Sequence, residues 1–164
     1  MTMQLTFRDF GVSDLRAVHE LNEAAVPAVG SVSLTQLSAL NVAARQFVLV
    51  HCNQALAGFL ILLAPGADYA SVNYQWFSTR YAQFLYVDRI VIAPPFHRQG
   101  VGSAFYERVW RSARQQSVAL TCEVNLMPPN PQSMAFHKHF GFSEVGCQHT
   151  DGGKKLVSLM ARES

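Results

Sequence analysis

The spacing of apolar positions changes several times along the chain, and each change marks an element. Leu5 and Phe7 alternate with polar neighbours, the period of a half-buried strand. From Leu15 the spacing becomes helical through Val18, Leu21 and Ala25, with Ser13-Asp14 in front as a cap. Pro27, Gly30 and nearby serines end that run. Ser33-Leu34-Thr35-Gln36 opens a second short helix that ends near Asn41. Gln46 to His51 and Ala55 to Ala64 are apolar strands joined across Cys52-Asn53-Gln54, which predicts a hairpin.

Pro65 to Arg80 fits neither period and is expected to be a long loop. It holds Tyr69, Asn73, Tyr74, Trp76 and Phe77, which suit either an acceptor-binding lid or rings plugging one end of the core. Phe84 to Ile92 is apolar on both faces, the mark of a central strand, and Asp88 and Arg89 are its only charges. A third helix follows the glycine corner that begins at Gly100, with Val101, Phe105, Val109 and Ala113 on one face. Glu107 pairs with Arg111 on its outside, and Arg108, Arg111 and Arg114 make a solvated basic face. Val118 to Val124 is the next strand. Asn130-Pro131 caps and starts a fourth helix, which ends at Gly141, placed for a left-handed C-terminal cap. Phe142 to Cys147 and Lys155 to Ala161 close the chain as strands, with Asp151-Gly152-Gly153 turning between them.

Composition narrows the class. At 164 residues, 49% of them hydrophobic and 15% charged, the chain is expected to form a single globular domain over 1–164. A formal net charge of +2 without a basic stripe argues against a nucleic-acid partner. The longest apolar run, Ala55 to Pro65, is interrupted by Gly58 and too short to span a bilayer, and no signal core is present near Met1. The protein is therefore expected to be soluble and cytoplasmic, with no membrane partner. Cys52, Cys122 and Cys147 lack CxxC spacing, so they are expected to be reduced and structural. His19, His51, His139 and His149 lack ligand spacing, and no metal site is expected.

The chemistry concentrates where the central strand meets the third helix. His97-Arg98-Gln99-Gly100-Val101-Gly102 follows Pro94-Pro95-Phe96 and opens the helix. Glycines let backbone approach a ligand closely, and the free N–H groups of a first helical turn attract anions, so this corner reads as a pyrophosphate cradle. It has neither the G-x-G-x-x-G spacing of a dinucleotide fold nor a Walker loop.

These residues resemble the Q/R-x-x-G-x-G/A signature of the GNAT superfamily of acyl-CoA-dependent N-acetyltransferases, with His97 in place of the usual first residue. A second stretch, Asn130 to Phe142, resembles the family's N-x-x-[AS]-x-x-[LF]-Y-x-x-x-G-F pattern, with His137 at the tyrosine position. The resemblance implies an α/β fold with a mixed, mostly antiparallel sheet of about seven strands flanked by about four helices, splayed between the fourth and fifth strands. Acetyl-CoA, or coenzyme A after transfer, would lie in that splay. His97, Arg98, Gln99, Gly100, Val101, Gly102 and Ser103 would hold its pyrophosphate. The backbone of Ile90, Val91 and Ile92 would line its pantetheine arm and offer an N–H to the thioester oxygen, and Asn130, Ser133 and His137 would add contacts.

The implied reaction is direct attack of an amine on the thioester, with no covalent enzyme intermediate. Glu123 and Asp88 are both candidates for the base, since either carboxylate could take the ammonium proton directly or through water. A charge inside an apolar strand must be paired or used, so the rival reading of Asp88 is a structural ion pair. His137 stands where the family's leaving-group acid lies, and as a bare helix residue it would be half-exposed. For the acceptor, the aromatic 65–80 segment leans towards a small primary amine. Cys122-Glu123-Val124 resembles the Leu-Glu-Val strand of ribosomal-protein N-terminal acetyltransferases and keeps a peptide N-terminus open. A non-catalytic acyl-CoA sensor is the third reading. A homodimer is compatible with all three.

Overall fold

A computed structural model describes residues 2–164. In chain order it contains β1 (Leu5–Asp9), α1 (Leu15–Ala24), α2 (Leu34–Ala43), β2 (Gln46–Cys52), β3 (Ala55–Leu63), α3 (Val72–Ser78), β4 (Phe84–Ile92), α4 (Val101–Gln116), β5 (Ala119–Met127), α5 (Pro131–His139), β6 (Ser143–Thr150) and β7 (Lys155–Arg162). The seven strands form one mixed sheet in the order β1-β2-β3-β4-β5-β7-β6. This is the expected α/β architecture with one correction. The segment between β3 and β4 is not a loop throughout, because it contains α3.

The chain resolves into two compact units, the first comprising residues up to Leu63 with Val87–Val109 and the second Ala64–Tyr86 with Trp110–Ser164. In the first, β1, β2 and β3 pair antiparallel. The β2–β3 hairpin turns on Asn53 and Gln54, whose φ angles of 48° and 75° match the twist of the flanking strands. Residues Val48–Val50 and Ala57–Leu63 are buried, so these strands supply the unit's core. β3 meets β4 at unusually close range, since a Cβ on Gly58 would lie 2.4 Å from the Val91 carbonyl oxygen. Val101, Phe105 and Val109 of α4 are buried as their spacing predicts.

The α1 cap differs from expectation. Residues Val12–Asp14 form a 3₁₀ turn, and the Asp14 carboxylate accepts from the Gly11 N–H and pairs with Arg8 at 2.7 Å. α2 has a reciprocal capping box between Ser33 and Gln36.

In the second unit β5 lies against β7, and β7 pairs with β6, both antiparallel. β4 joins β5 in parallel through Phe84–Tyr86 opposite Ala119–Thr121. α3 is short. Ser71 accepts from the Tyr74 N–H at its start, and Tyr74 and Phe77 fall on one face and are buried. At α5, Asn130 accepts from the Ser133 N–H. Its end closes as a Schellman motif, with Gly141 at φ 95° donating to Lys138 and Phe142 donating to His137.

Candidate active site

The cradle belongs to the first unit. β4 ends at Ile92, a 3₁₀ turn covers Pro94–Phe96, and α4 starts at Val101. Arg98 and Gly100 both have positive φ, 59° and 82°. Such alternation lets successive N–H groups face one concavity, the backbone geometry that binds phosphate. A Cβ at Gly100 would meet nothing within 4 Å, so the space beside the backbone there is open. His97 does not extend into it. Its Nε2 donates to the Ile92 carbonyl at 2.7 Å, which ties the corner to the end of β4. Gln99 donates to the Pro95 carbonyl at 2.9 Å and stiffens the same turn. An open, amide-lined corner at the start of a sixteen-residue helix fits a diphosphate.

Ile90, Val91 and Ile92 run along β4 in the same unit. The parallel register with β5 ends at the Tyr86 and Thr121 pair. Asp88 and Arg89 form a buried ion pair at 3.0 Å, their side chains 4% and 10% exposed. Arg89 also donates to the Asn22 side chain at 2.9 Å and to the Gly30 carbonyl at 3.0 Å. The structure thus realises the ion-pair reading of Asp88. Its carboxylate balances a cation that stitches β4 to the end of α1.

Glu123 belongs to the second unit. It lies two residues along β5 beyond the last pair with β4, opposite Leu159 of β7, and is half-buried. Its Oε2 accepts a hydrogen bond from the Tyr86 hydroxyl. Tyr86 is fully buried, so its hydroxyl must find a partner, and it finds this carboxylate. Sequence reasoning missed Tyr86. The available signal was a polar-tipped ring in a strand apolar on both faces, two positions before Asp88.

His137 is corrected. It is 5% exposed rather than half-exposed, packed edge-on against Phe136 and Phe142. Its Nδ1 donates to the Ser133 carbonyl at 2.7 Å, with the Ser133 hydroxyl at 3.3 Å. Burial holds its pKa below the ordinary imidazole value against the raising effect of the Ser133 carbonyl, so it is neutral at pH 7. A neutral, enclosed imidazole is poorly suited to protonating a thiolate. Ser133 and Asn130 are occupied within α5 itself.

The aromatic residues of the 65–80 segment divide. Tyr74 and Phe77 are core residues, 1% and 0% exposed, which corrects their assignment to acceptor binding. The Tyr74 hydroxyl donates to the Ala64 carbonyl at 2.7 Å and accepts from the Ala67 N–H. Tyr69, Asn73 and Trp76 are half-buried. Trp76 lies over β6, where a Cβ on Gly146 would come within 2.4 Å of its ring, and Arg80 stacks on it at 4.0 Å. Asn73 accepts from the Gln148 side chain at 2.8 Å. Among the described residues no three His, Cys, Asp or Glu side chains gather where they could hold a metal ion, and no helix is long and apolar enough to cross a membrane. Cys52 and Cys122 are buried and Cys147 is exposed.

The seven-stranded mixed sheet with a corner of phosphate-binding type after its fourth strand is the architecture that the sequence resemblance implies. The model of the acetyltransferase (GNAT) family matches residues 16–142, and the chain belongs to that family. Comparison with curated proteins finds no match. Among solved structures, the chain is similar to the ribosomal-protein-S18-alanine N-acetyltransferase from Escherichia coli (18% identity, 98% of this chain and 94% of that one, TM-score 0.72). It is also similar to NAA60 of Arabidopsis thaliana in complex with acetyl-CoA (16%, 98% and 100%, TM-score 0.76). A chimera of the spermidine N-acetyltransferase SpeG from Vibrio cholerae with hSSAT is a third (21%, 98% and 95%, TM-score 0.69). At these identities the likeness establishes the fold, and acetyl-CoA as co-substrate follows from the family.

Proposed function

We propose that the protein transfers an acetyl group from acetyl-CoA to a primary amine of a small molecule, with Glu123 as the base. The single observation that carries this reading is the half-buried Glu123 carboxylate held in one orientation by the buried Tyr86 hydroxyl. A carboxylate fixed beside the end of the β4–β5 pairing supports this role, since such a group takes a proton from an amine directly or through one water. Asp88 is the weaker candidate, because its ion pair with Arg89 occupies it.

Bound acetyl-CoA supplies the activated acetyl group as a thioester. The chain's own part is positioning. Amides of 98–103 bind the diphosphate, the His97 N–H being taken by the Pro94 carbonyl, and N–H groups of the 90–92 backbone bind the thioester oxygen. Cys122 is buried and has no part in a covalent step.

A peptide N-terminus is the second acceptor reading, favoured by the Cys122-Glu123-Val124 stretch. The similarity in fold to the E. coli ribosomal-protein-S18-alanine N-acetyltransferase lends it support. Purified protein, acetyl-CoA and a panel of polyamines, aryl and alkyl amines and short peptides decide between them by thiol release. Release dependent on one amine class identifies the acceptor. Tight coenzyme A binding with no release against any amine overturns the enzyme reading in favour of a sensor. Glu123→Gln is expected to lower kcat/KM by about 10²- to 10⁴-fold with coenzyme A affinity kept.

A further inference from the structure

Glu123 does not find its orientation alone. Its partner Tyr86 has its ring boxed by α3, with Tyr74 edge-on at 5.6 Å and Phe77 at 5.8 Å between ring centroids. Phe84, two residues back on β4, extends the cluster to both of those rings. The Tyr74 ring is itself pinned, since its hydroxyl is committed to Ala64 and Ala67 at the base of α3.

α3 is a seven-residue helix, too short to hold itself in water. It is held instead from outside, by Trp76 seated on the bare backbone of Gly146 and by the Asn73–Gln148 hydrogen bond to β6. These contacts form a continuous path within the second unit, from β6 through α3 to the Tyr86 ring and on to the Glu123 carboxylate.

We infer that Tyr86 is a positioning residue for Glu123, and that α3, docked on β6 through Trp76 and Gly146, is the buttress that aims the Tyr86 hydroxyl. This rests on the reading of Glu123 as the base. The segment whose rings suit either an acceptor lid or a plug for the core thus serves the carboxylate from behind. A free phenol could rotate its hydroxyl to water or to another acceptor. In this box the ring has one orientation, and the hydroxyl meets the carboxylate.

Tyr86→Phe keeps the ring and deletes the donor. It is expected to lower kcat about tenfold while KM for the amine and for acetyl-CoA stay within about twofold, the effect of losing a hydrogen bond to a charged group. Gly146→Ala, far along the path, forces Trp76 aside and is expected to lower kcat in the same selective way. Combined with Tyr86→Phe, it should add almost nothing. The readout free of activity is the Cζ resonance of Tyr86 in tyrosine-labelled protein. Glu123→Gln and Gly146→Ala should each move it, while Asn53→Ala, at the distant β2–β3 turn, should not.

Multiplicative losses in the double variant, or a Tyr86 resonance indifferent to Gly146→Ala, overturn the buttress. If Gly146→Ala will not fold, Gln148→Ala tests the same docking through its hydrogen bond. If Glu123→Gln leaves the rate intact while the resonance responds as stated, the base reading fails and the buttress stands.

Discussion

Asp88 and Glu123 start as equal candidates for one task, and their surroundings separate them. Asp88 is nearly sealed against Arg89, whose Nη1 donates to Asn22 and Gly30. Removing one charge from such a pair leaves the other buried without compensation, which costs about 3 kcal/mol or more. Asp88→Asn is therefore expected to lower thermal stability sharply, while the pH dependence of kcat/KM in the folded fraction keeps its shape. A chemical melt and a pH–rate profile check both halves. A profile that loses its acid limb would make Asp88 the base. The substitution that looks mildest on paper thus separates structure from catalysis.

At the scale of elements, the close approach of β3 and β4 makes a sharp test. A Cβ at Gly58 would stand 2.4 Å from the Val91 carbonyl oxygen and 3.3 Å from the Ile92 Cα. Backbone on both sides cannot yield without moving β4, the strand proposed to line the acyl arm. Gly58→Ala is expected to destabilise by about 1–3 kcal/mol and to weaken coenzyme A binding. Gly30→Ala, where nothing lies within 4 Å, should do neither. Equal effects in calorimetry and ligand titration would refute the packing argument.

Elements with long periodic faces or strong punctuation were legible in the sequence. The α4 stripe of Val101, Phe105 and Val109 is buried as spaced, and Asn130 and Gly141 bound α5 as cap residues should. α3 was not legible, because its helicity comes from tertiary contacts to Gly146 and Gln148 some seventy residues away. Only the Ser71 cap and the Tyr74 and Phe77 pair hinted at it. For the same reason the burial of His137 escaped notice. It depends on Phe142, which the Schellman turn folds back over the imidazole.

Across the whole molecule, ionisable groups that depend on folding lie in both units but titrate in different ranges. In the second unit, His137 has its pKa lowered by burial. The unfolded chain, with an imidazole near 6.5, therefore binds a proton that the folded chain resists. Stability from this group is complete above that value and is lost as pH falls from it towards the folded pKa. In the first unit, the hydrogen bond from Arg8 holds Asp14 at about 2. Hydrogen bonds from Ser31, Asn22 and the Val32 N–H hold Glu23 at about 2.

The ordinary values of these carboxyls are 3.8 and 4.5, so their contribution is intact above that range and is lost as pH falls from it towards about 2. Acid should therefore loosen the chain in two steps. Hydrogen exchange, corrected for its intrinsic pH dependence, is expected to show α5 and the Gly141 turn losing protection below about pH 6.5 while residues 8–14 and 22–32 keep theirs. The latter should open only below about pH 4. His137→Gln, which keeps a donor for the Ser133 carbonyl and cannot titrate, should abolish the first step and leave the second. A single step shared by both regions, or an α5 step that survives in His137→Gln, would show that these groups do not control the acid response.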